Sequence, residues 1–186
     1  MNLYSEEGTL LASTPFHLGK KEGESRFYYL SGALHTIQYF KAGIKVGTHT
    51  SFYENGQMKS EVPYLEGSIH GIVTLFWEDG SIKRQLTYHL GKKEGQDTLF
   101  SREGKVIFQG SYREGLPIGL HIFSFEERFY HTPTCYNRKV WDESGSVIYE
   151  GTYSKDLKKY EEKKRGVSGK LEIRQGVNRD GRIHFT

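Results

Sequence analysis

The sequence predicts an all-β protein, an elongated antiparallel meander of stacked β-hairpin repeats with a C-terminal capping segment. Three observations lead there. Glycines recur on a period of 24 residues, aromatic residues keep the same period, and the composition is poor in aliphatics but rich in turn formers. The chain has 186 residues, which fits one ordinary domain. Hydrophobic residues make up 35%, aromatics 14%, and 22 positions are glycine. Glycine costs about 1 kcal/mol at each helical site, so this balance disfavours a helical bundle.

The repeat organises everything else. Gly8, Gly32, Gly56, Gly80 and Gly104 form one column; Gly19, Gly43, Gly67, Gly91 and Gly115 a second; Gly23, Gly47, Gly71, Gly95 and Gly119 a third. Phe16, Phe40, Tyr64, Tyr88 and Tyr112 stand three residues before the second column. A further column reads Tyr28, Phe52, Phe76 and Phe100, with Ser124 as the exception. The phase breaks once, at an insertion over 126–139, and resumes around Trp141, Gly145, Gly151 and Tyr153.

One repeat shows why these are hairpins. Residues 71–78, GIVTLFWE, are β-branched and aromatic and read as a strand. Asp79-Gly80 signals a tight turn of the I′ kind, which needs positive φ. SIKRQLTYH over 81–89 is the returning strand, and Gly91-Lys-Lys-Glu-Gly95 sends the chain into the next repeat. Period-two alternation places Ile82, Leu86 and Tyr88 on one face. The array is expected over 1–153. Residues 154–186 are expected to form a charged cap, with a short helix over 154–165 capped by Ser154 and a hairpin around Asp180-Gly181.

At these residues the chain resembles a known family. Tyr-x-x-Gly-x-x-x-Gly, as in Tyr64–Gly71, Tyr88–Gly95 and Tyr112–Gly119, looks like the MORN repeat. Phe-Tyr-Glu-Asn-Gly-Gln-Met-Lys over 52–59 is similar to the bacterial MORN variant, which occurs in proteins similar to the YwqK-type antitoxins. The likeness spans about 4–125 and 139–153. It implies sheets of stacked hairpins and a role in scaffolding, protein binding or lipid-surface association, with an antitoxin-like role in the bacterial group. The insertion and the tail after 154 depart from the family pattern.

Catalytic signatures are not seen: there is no GxSxG, no Walker A, no HExxH and no dinucleotide GxGxxG. The chain therefore reads as a non-enzyme with no cofactor. The eight histidines lack ligand spacing. His131 and Cys135 form a lone H-x3-C, short of the four ligands zinc takes, so no metal site is expected. A single cysteine excludes an internal disulfide framework. No signal peptide is visible at the N-terminus and no apolar run is long enough for a membrane span. A cytoplasmic location is the expectation, with export lacking a cleavable signal left open.

Two candidate partner-binding regions stand out. The insertion gathers Arg128, Phe129, Tyr130, His131, Tyr136 and Arg138, and aromatics with arginine are the residue types enriched at interface hot spots. Its plainer reading is an ordinary extended hairpin with a turn at Thr132-Pro133. The second region is the column Tyr29, Tyr53 and Trp77, on the face opposite Tyr28, Phe52 and Phe76. It is exposed unless the sheet curls, the tail covers it or a partner does. Net charge is only +3. The basic residues concentrate after 154, and no nucleic-acid-binding module is recognised. The expected function is a protein-binding or scaffold module, antitoxin-like in what the resemblance implies, with an unidentified protein partner. The alternatives are weak association with an anionic lipid surface and a targeting module for a separate enzyme.

Overall fold

The computed structural model describes residues 1–154 in full and, beyond them, the backbone of 159–165, 171–179 and 182–185. The chain divides into two compact units, Met1–Lys105 and Val106–Thr186. Both consist of antiparallel strands, and no helix occurs among the described residues.

In the first unit the strands are β1 (Asn2–Tyr4), β2 (Leu10–Ser13), β3 (Phe16–His17), β4 (Lys20–Lys21), β5 (Gly23–Tyr28), β6 (Leu34–Lys41), β7 (Ile44–Phe52), β8 (Met58–Leu65), β9 (Ser68–Ile69), β10 (Gly71–Phe76), β11 (Ile82–His89) and β12 (Lys92–Phe100). Pairing runs β1–β2–β5–β6–β7–β8–β10–β11–β12, so each long strand lies between its neighbours in sequence. The small strands fit the second-column loops: β3 pairs β4, and β9 pairs the end of β8.

In the second unit the strands are β13 (Val106–Arg113), β14 (Leu116–Phe123), β15 (Glu126–Thr132), β16 (Cys135–Trp141), β17 (Val147–Ser154), β18 (Lys159–Arg165), β19 (Leu171–Arg179) and β20 (Arg182–Phe185). They pair in strict succession. The predicted meander of hairpins is what the chain forms.

Each glycine column has its own task, and one differs from the expectation. At the first column the chain turns over Trp77–Gly80, closed by Gly80 N–H donating to the Trp77 carbonyl at 3.0 Å. Only the glycine takes positive φ there, +85°. That is the longer loop with a glycine bulge, not the I′ turn that Asp79-Gly80 suggested. The paired positive φ values of an I′ turn lie at the second column, in Leu18-Gly19, Ala42-Gly43, Glu66-Gly67, Leu90-Gly91 and Glu114-Gly115. The third column makes room in the ladder. Leu86 pairs Asp97 and Tyr88 pairs Lys93, so one residue on β11 lies opposite three on β12, with Gly95 at φ +85° in the bulge. Turns of successive repeats are tied together. Gly43, Gly67 and Gly91 N–H donate to the carbonyls of Lys21, Lys45 and Ile69, each 2.8–2.9 Å away.

Burial is concentrated in one position per repeat, two residues after the third glycine: Ser25, His49, Val73 and Asp97 in the first unit, His121 in the second. Phe40 and Leu86 pack beside this column in the first unit.

The expectation for 154–165 needs correction. Lys159–Arg165 is a strand, pairing β17 through Tyr149↔Lys164, Glu150↔Lys163 and Gly151↔Glu162. A helix so short is marginal alone and has no apolar stripe to pack. The open edge of β17 offers it a ladder of backbone hydrogen bonds instead. β19 and β20 pair antiparallel, as the expected last hairpin requires; Asp180 and Gly181, expected at its turn, and residues 155–158, 166–170 and 186 lie outside the described residues.

Candidate functional site

The insertion is a regular hairpin, β15–β16, turning between Thr132 and Cys135. Strand alternation splits its candidate residues between two faces. Arg128 pairs Arg138 and Tyr130 pairs Tyr136, so these four share one face; Phe129 pairs Asn137 on the other, in edge contact with His131 at 5.1 Å. Cys135 carries a free thiol.

The first face is an internally satisfied network. Glu126 accepts from Arg128 Nε and, at 2.7 Å, from an Arg138 Nη. Burial raises the Glu126 carboxyl, but the hydrogen bonds from Arg138 and Arg128 outweigh it and hold the group below its ordinary pKa. Arg128 lies over the rings of Phe123 and Tyr136, and Arg138 over Tyr149. The rings of His121, Tyr130, Tyr136 and Tyr153 form a row crossing four strands, with successive centroids 4.7, 4.9 and 4.9 Å apart. Burial pushes the Tyr136 hydroxyl pKa up. These side chains mainly contact one another.

The second face is different. Leu120 stands directly opposite Phe129, with Ile122 two residues along β14 opposite Glu127. All three apolar side chains are 44–47% exposed. Beside them a trench of about 390 Å³ crosses β15, β16 and β17, walled by Glu127, Phe129, Asn137, Lys139, Glu150 and Thr152. Its floor is backbone, because Arg138 sends its side chain to the opposite face and Gly151, its register partner, has none. Thr152 Oγ1 donates to Asn137 Oδ1 at 3.0 Å. Lys139 leans along its strand toward the Trp141 ring, 5.8 Å away. Leu120 and Ile122 were not singled out in the sequence. The clue was available: two apolar residues at alternate positions of a strand, which period two places on one face.

The other candidate column works inside the array. Tyr29 Oη donates to the Phe52 carbonyl and Tyr53 Oη to the Phe76 carbonyl, both at 2.8 Å, so each tyrosine struts one hairpin loop to the next. Tyr29, Tyr53 and Trp77 are half-buried. Lys59 lies over Tyr53, and Lys83 and Arg102 lie over Trp77. The cover on Tyr53 and Trp77 thus includes basic side chains of the hairpins themselves.

Two polar members of the buried column are also structural. Asp97 accepts two hydrogen bonds from Arg84, both 2.8 Å, and one from Lys93 at 2.9 Å. Burial raises its carboxyl, and those cations more than reverse it, leaving the group below its ordinary value. His121 Nε2 is 2.9 Å from the Ser111 carbonyl and His49 Nε2 is 3.1 Å from the Tyr39 carbonyl, so each imidazole donates there. Among the described residues no group of three or more His, Cys, Asp or Glu side chains is placed to hold a metal ion.

A hairpin array with this glycine spacing, bulged after every I′ turn, defines a β-repeat protein. Residues 21–42, 45–66, 69–89 and 137–155 match the MORN repeat variant, so the chain carries four repeats of that family. The last match begins inside the insertion, so β16 and β17 together are one more repeat of the series. No curated protein matches the chain. The repeat is a non-catalytic one, and repeat modules of this kind generally mediate binding. No helix among the described residues is long and apolar enough to cross a membrane.

Proposed function

We propose that this chain is a non-enzymatic protein-binding module whose partner docks on the Leu120–Ile122–Phe129 face of the second unit. The observation that carries this reading is the exposed apolar cluster itself, placed beside a polar trench. A contiguous apolar patch rimmed by polar groups is the anatomy of a protein interface. The reading moves the site from Arg128, Tyr130, Tyr136 and Arg138, which contact one another, to Phe129 and its neighbours. Its test is quantitative capture from a lysate of the source cells at about 150 mM salt. A partner held near equal stoichiometry is expected with the native chain and lost with Leu120→Ser/Phe129→Ser, while circular dichroism is unchanged. Retention at unchanged affinity refutes the site.

A second reading has its own observation. The turn tips of the first unit expose Leu18, Ile44 and Leu90, and each is flanked by exposed lysines: Lys20, Lys41 and Lys92. This suits shallow contact with an anionic lipid surface, in which lysines near the surface contribute about 1 kcal/mol each. It predicts flotation with phosphatidylserine vesicles that falls as salt rises and falls again with Leu18→Ser/Leu90→Ser. Binding indifferent to anionic lipid excludes it.

A further inference from the structure

The trench beside the docking face has a shape and a charge that specify what enters it. This inference rests on the protein-binding reading and concerns only the chemistry of the partner. Two rows of side chains bound the trench. Phe129, Asn137 and Thr152 form one, Glu127, Lys139 and Glu150 the other, and the register runs straight through both: Phe129↔Asn137↔Thr152 and Glu127↔Lys139↔Glu150. Rows two residues apart along a strand are separated by about 7 Å. That admits an extended segment or one long side chain and excludes a helix, whose diameter with side chains is about 10 Å.

The charge is the second constraint. Glu127 and Glu150 make no ion pair with any described side chain, although Lys139 stands between them in the register. Lys139 walls the trench too, but its ammonium leans along the strand toward Trp141 rather than pairing with either carboxylate. Lys163 stands opposite Glu150 on the outer side of β17, so Glu127 is the carboxylate on which the inference rests. Glu127 is half-buried and adjacent in sequence to both Glu126, which is occupied by two arginines, and Arg128, which points to the other face. Its register neighbour across β14 is the exposed Ile122, and Phe129 follows two residues along its own strand.

We infer that the trench receives an arginine of an extended partner segment, its guanidinium on Glu127, its stem along Phe129, and an adjacent apolar residue on Leu120 and Ile122. A guanidinium matches a carboxylate with two parallel hydrogen bonds and stacks on an aromatic ring, which an ammonium does less well. The trench thus selects an arginine next to an aliphatic or aromatic residue, rather than an acidic or purely apolar segment.

The experiment is selection of random 12-residue peptides displayed on phage against the full chain, followed by calorimetry with the synthetic winners. Enrichment of arginine beside an apolar residue is expected. Replacing that arginine by citrulline is expected to weaken binding about tenfold, and Glu127→Gln to weaken it similarly without further loss for the citrulline peptide. Winners without a basic residue, no winners at all, or affinities untouched by Glu127→Gln overturn the inference. Affinities lost with Phe129→Ser but unchanged by Glu127→Gln leave the docking face standing and remove the arginine. Affinities unchanged by both substitutions remove the docking face as well.

Discussion

Gly110 is a strand residue with ordinary φ, and its value lies in what stands against it. A Cβ at this position would lie 2.5 Å from Nδ1, 2.7 Å from Cε1 and 2.9 Å from Cγ of His121. Comfortable contact between such atoms is about 3.5–4 Å, so the imidazole must retreat by about 1 Å. It has little room to do so. His121 is only 2% exposed, its Nε2 is bonded to the Ser111 carbonyl, and rings of Tyr112 and Tyr130 flank it at 5.2 and 4.7 Å. Overpacking of this kind costs about 1–3 kcal/mol, and a broken hydrogen bond adds about 1. Without the imidazole the same substitution helps, since glycine to alanine at a compatible φ stabilises by about 0.4–1 kcal/mol through the unfolded chain. Gly110→Ala is therefore expected to destabilise the native protein by about 1–3 kcal/mol and to become neutral or stabilising in a His121→Ser background. Urea unfolding of all four proteins, followed by tyrosine fluorescence and circular dichroism, measures the coupling. Equal penalties in both backgrounds, or none in the native one, would refute the argument that His121 occupies the space of the missing side chain.

Three further outcomes follow from the buried column. Ser25 is fully buried and its hydroxyl finds no hydrogen-bond partner among the described residues, so Ser25→Ala is expected to stabilise by up to about 1 kcal/mol; a loss of stability in thermal unfolding contradicts it. Asp97→Ala removes the anion between Arg84 and Lys93. Breaking a buried pair costs about 3–5 kcal/mol, which the partial exposure of both cations reduces to about 2–3, and a shift below 1 in urea unfolding shows the network to be dispensable. Burial, followed by the nearby charge of Lys45, pulls the His49 imidazole below its ordinary pKa of 6.5. The unfolded chain then binds more protons, so stability is full above pH 6.5 and falls as pH drops from 6.5 toward the lowered value. His49→Val should flatten that part of the curve relative to the native protein, and parallel curves would show that another group sets it.

Much of this fold was legible because its glycines are obligatory. Positive φ at three sites per repeat leaves a periodic trace that side-chain drift does not erase, and the hairpins follow from it. The turn types were misassigned for a physical reason. Asp-Gly and Asn-Gly are favourable I′ pairs, yet the actual I′ turns use Leu18, Ala42, Glu66, Leu90 and Glu114, which reach φ of 45–52° because the strands on either side impose it. The buried column was missed because its positions repeat while its chemistry does not: serine, histidine, valine, aspartate and histidine share no pattern in type. The insertion looked like one cluster because its residues are consecutive. Period-two alternation already forbids Arg128, Phe129, Tyr130 and His131 from sharing a face, and applying it would have isolated Phe129. The strand at Lys159–Arg165 was hidden because what fixes it, the waiting edge of β17, lies outside its own sequence.

The ties between successive turns have a consequence for how such a chain changes over time. Gly43, Gly67 and Gly91 each donate to a carbonyl 22 residues back, and Tyr29 and Tyr53 each reach one 23 residues ahead. A deletion or duplication of 24 residues within the first unit reconnects the bonds that span its junction to equivalent atoms; one of 23 or 25 misaligns those bonds and puts the strand at the junction one residue out of register, its faces exchanged. Two strands at about 4.8 Å apiece make each such step close to 10 Å of sheet. The array is a ruler that can be lengthened or shortened only by whole graduations.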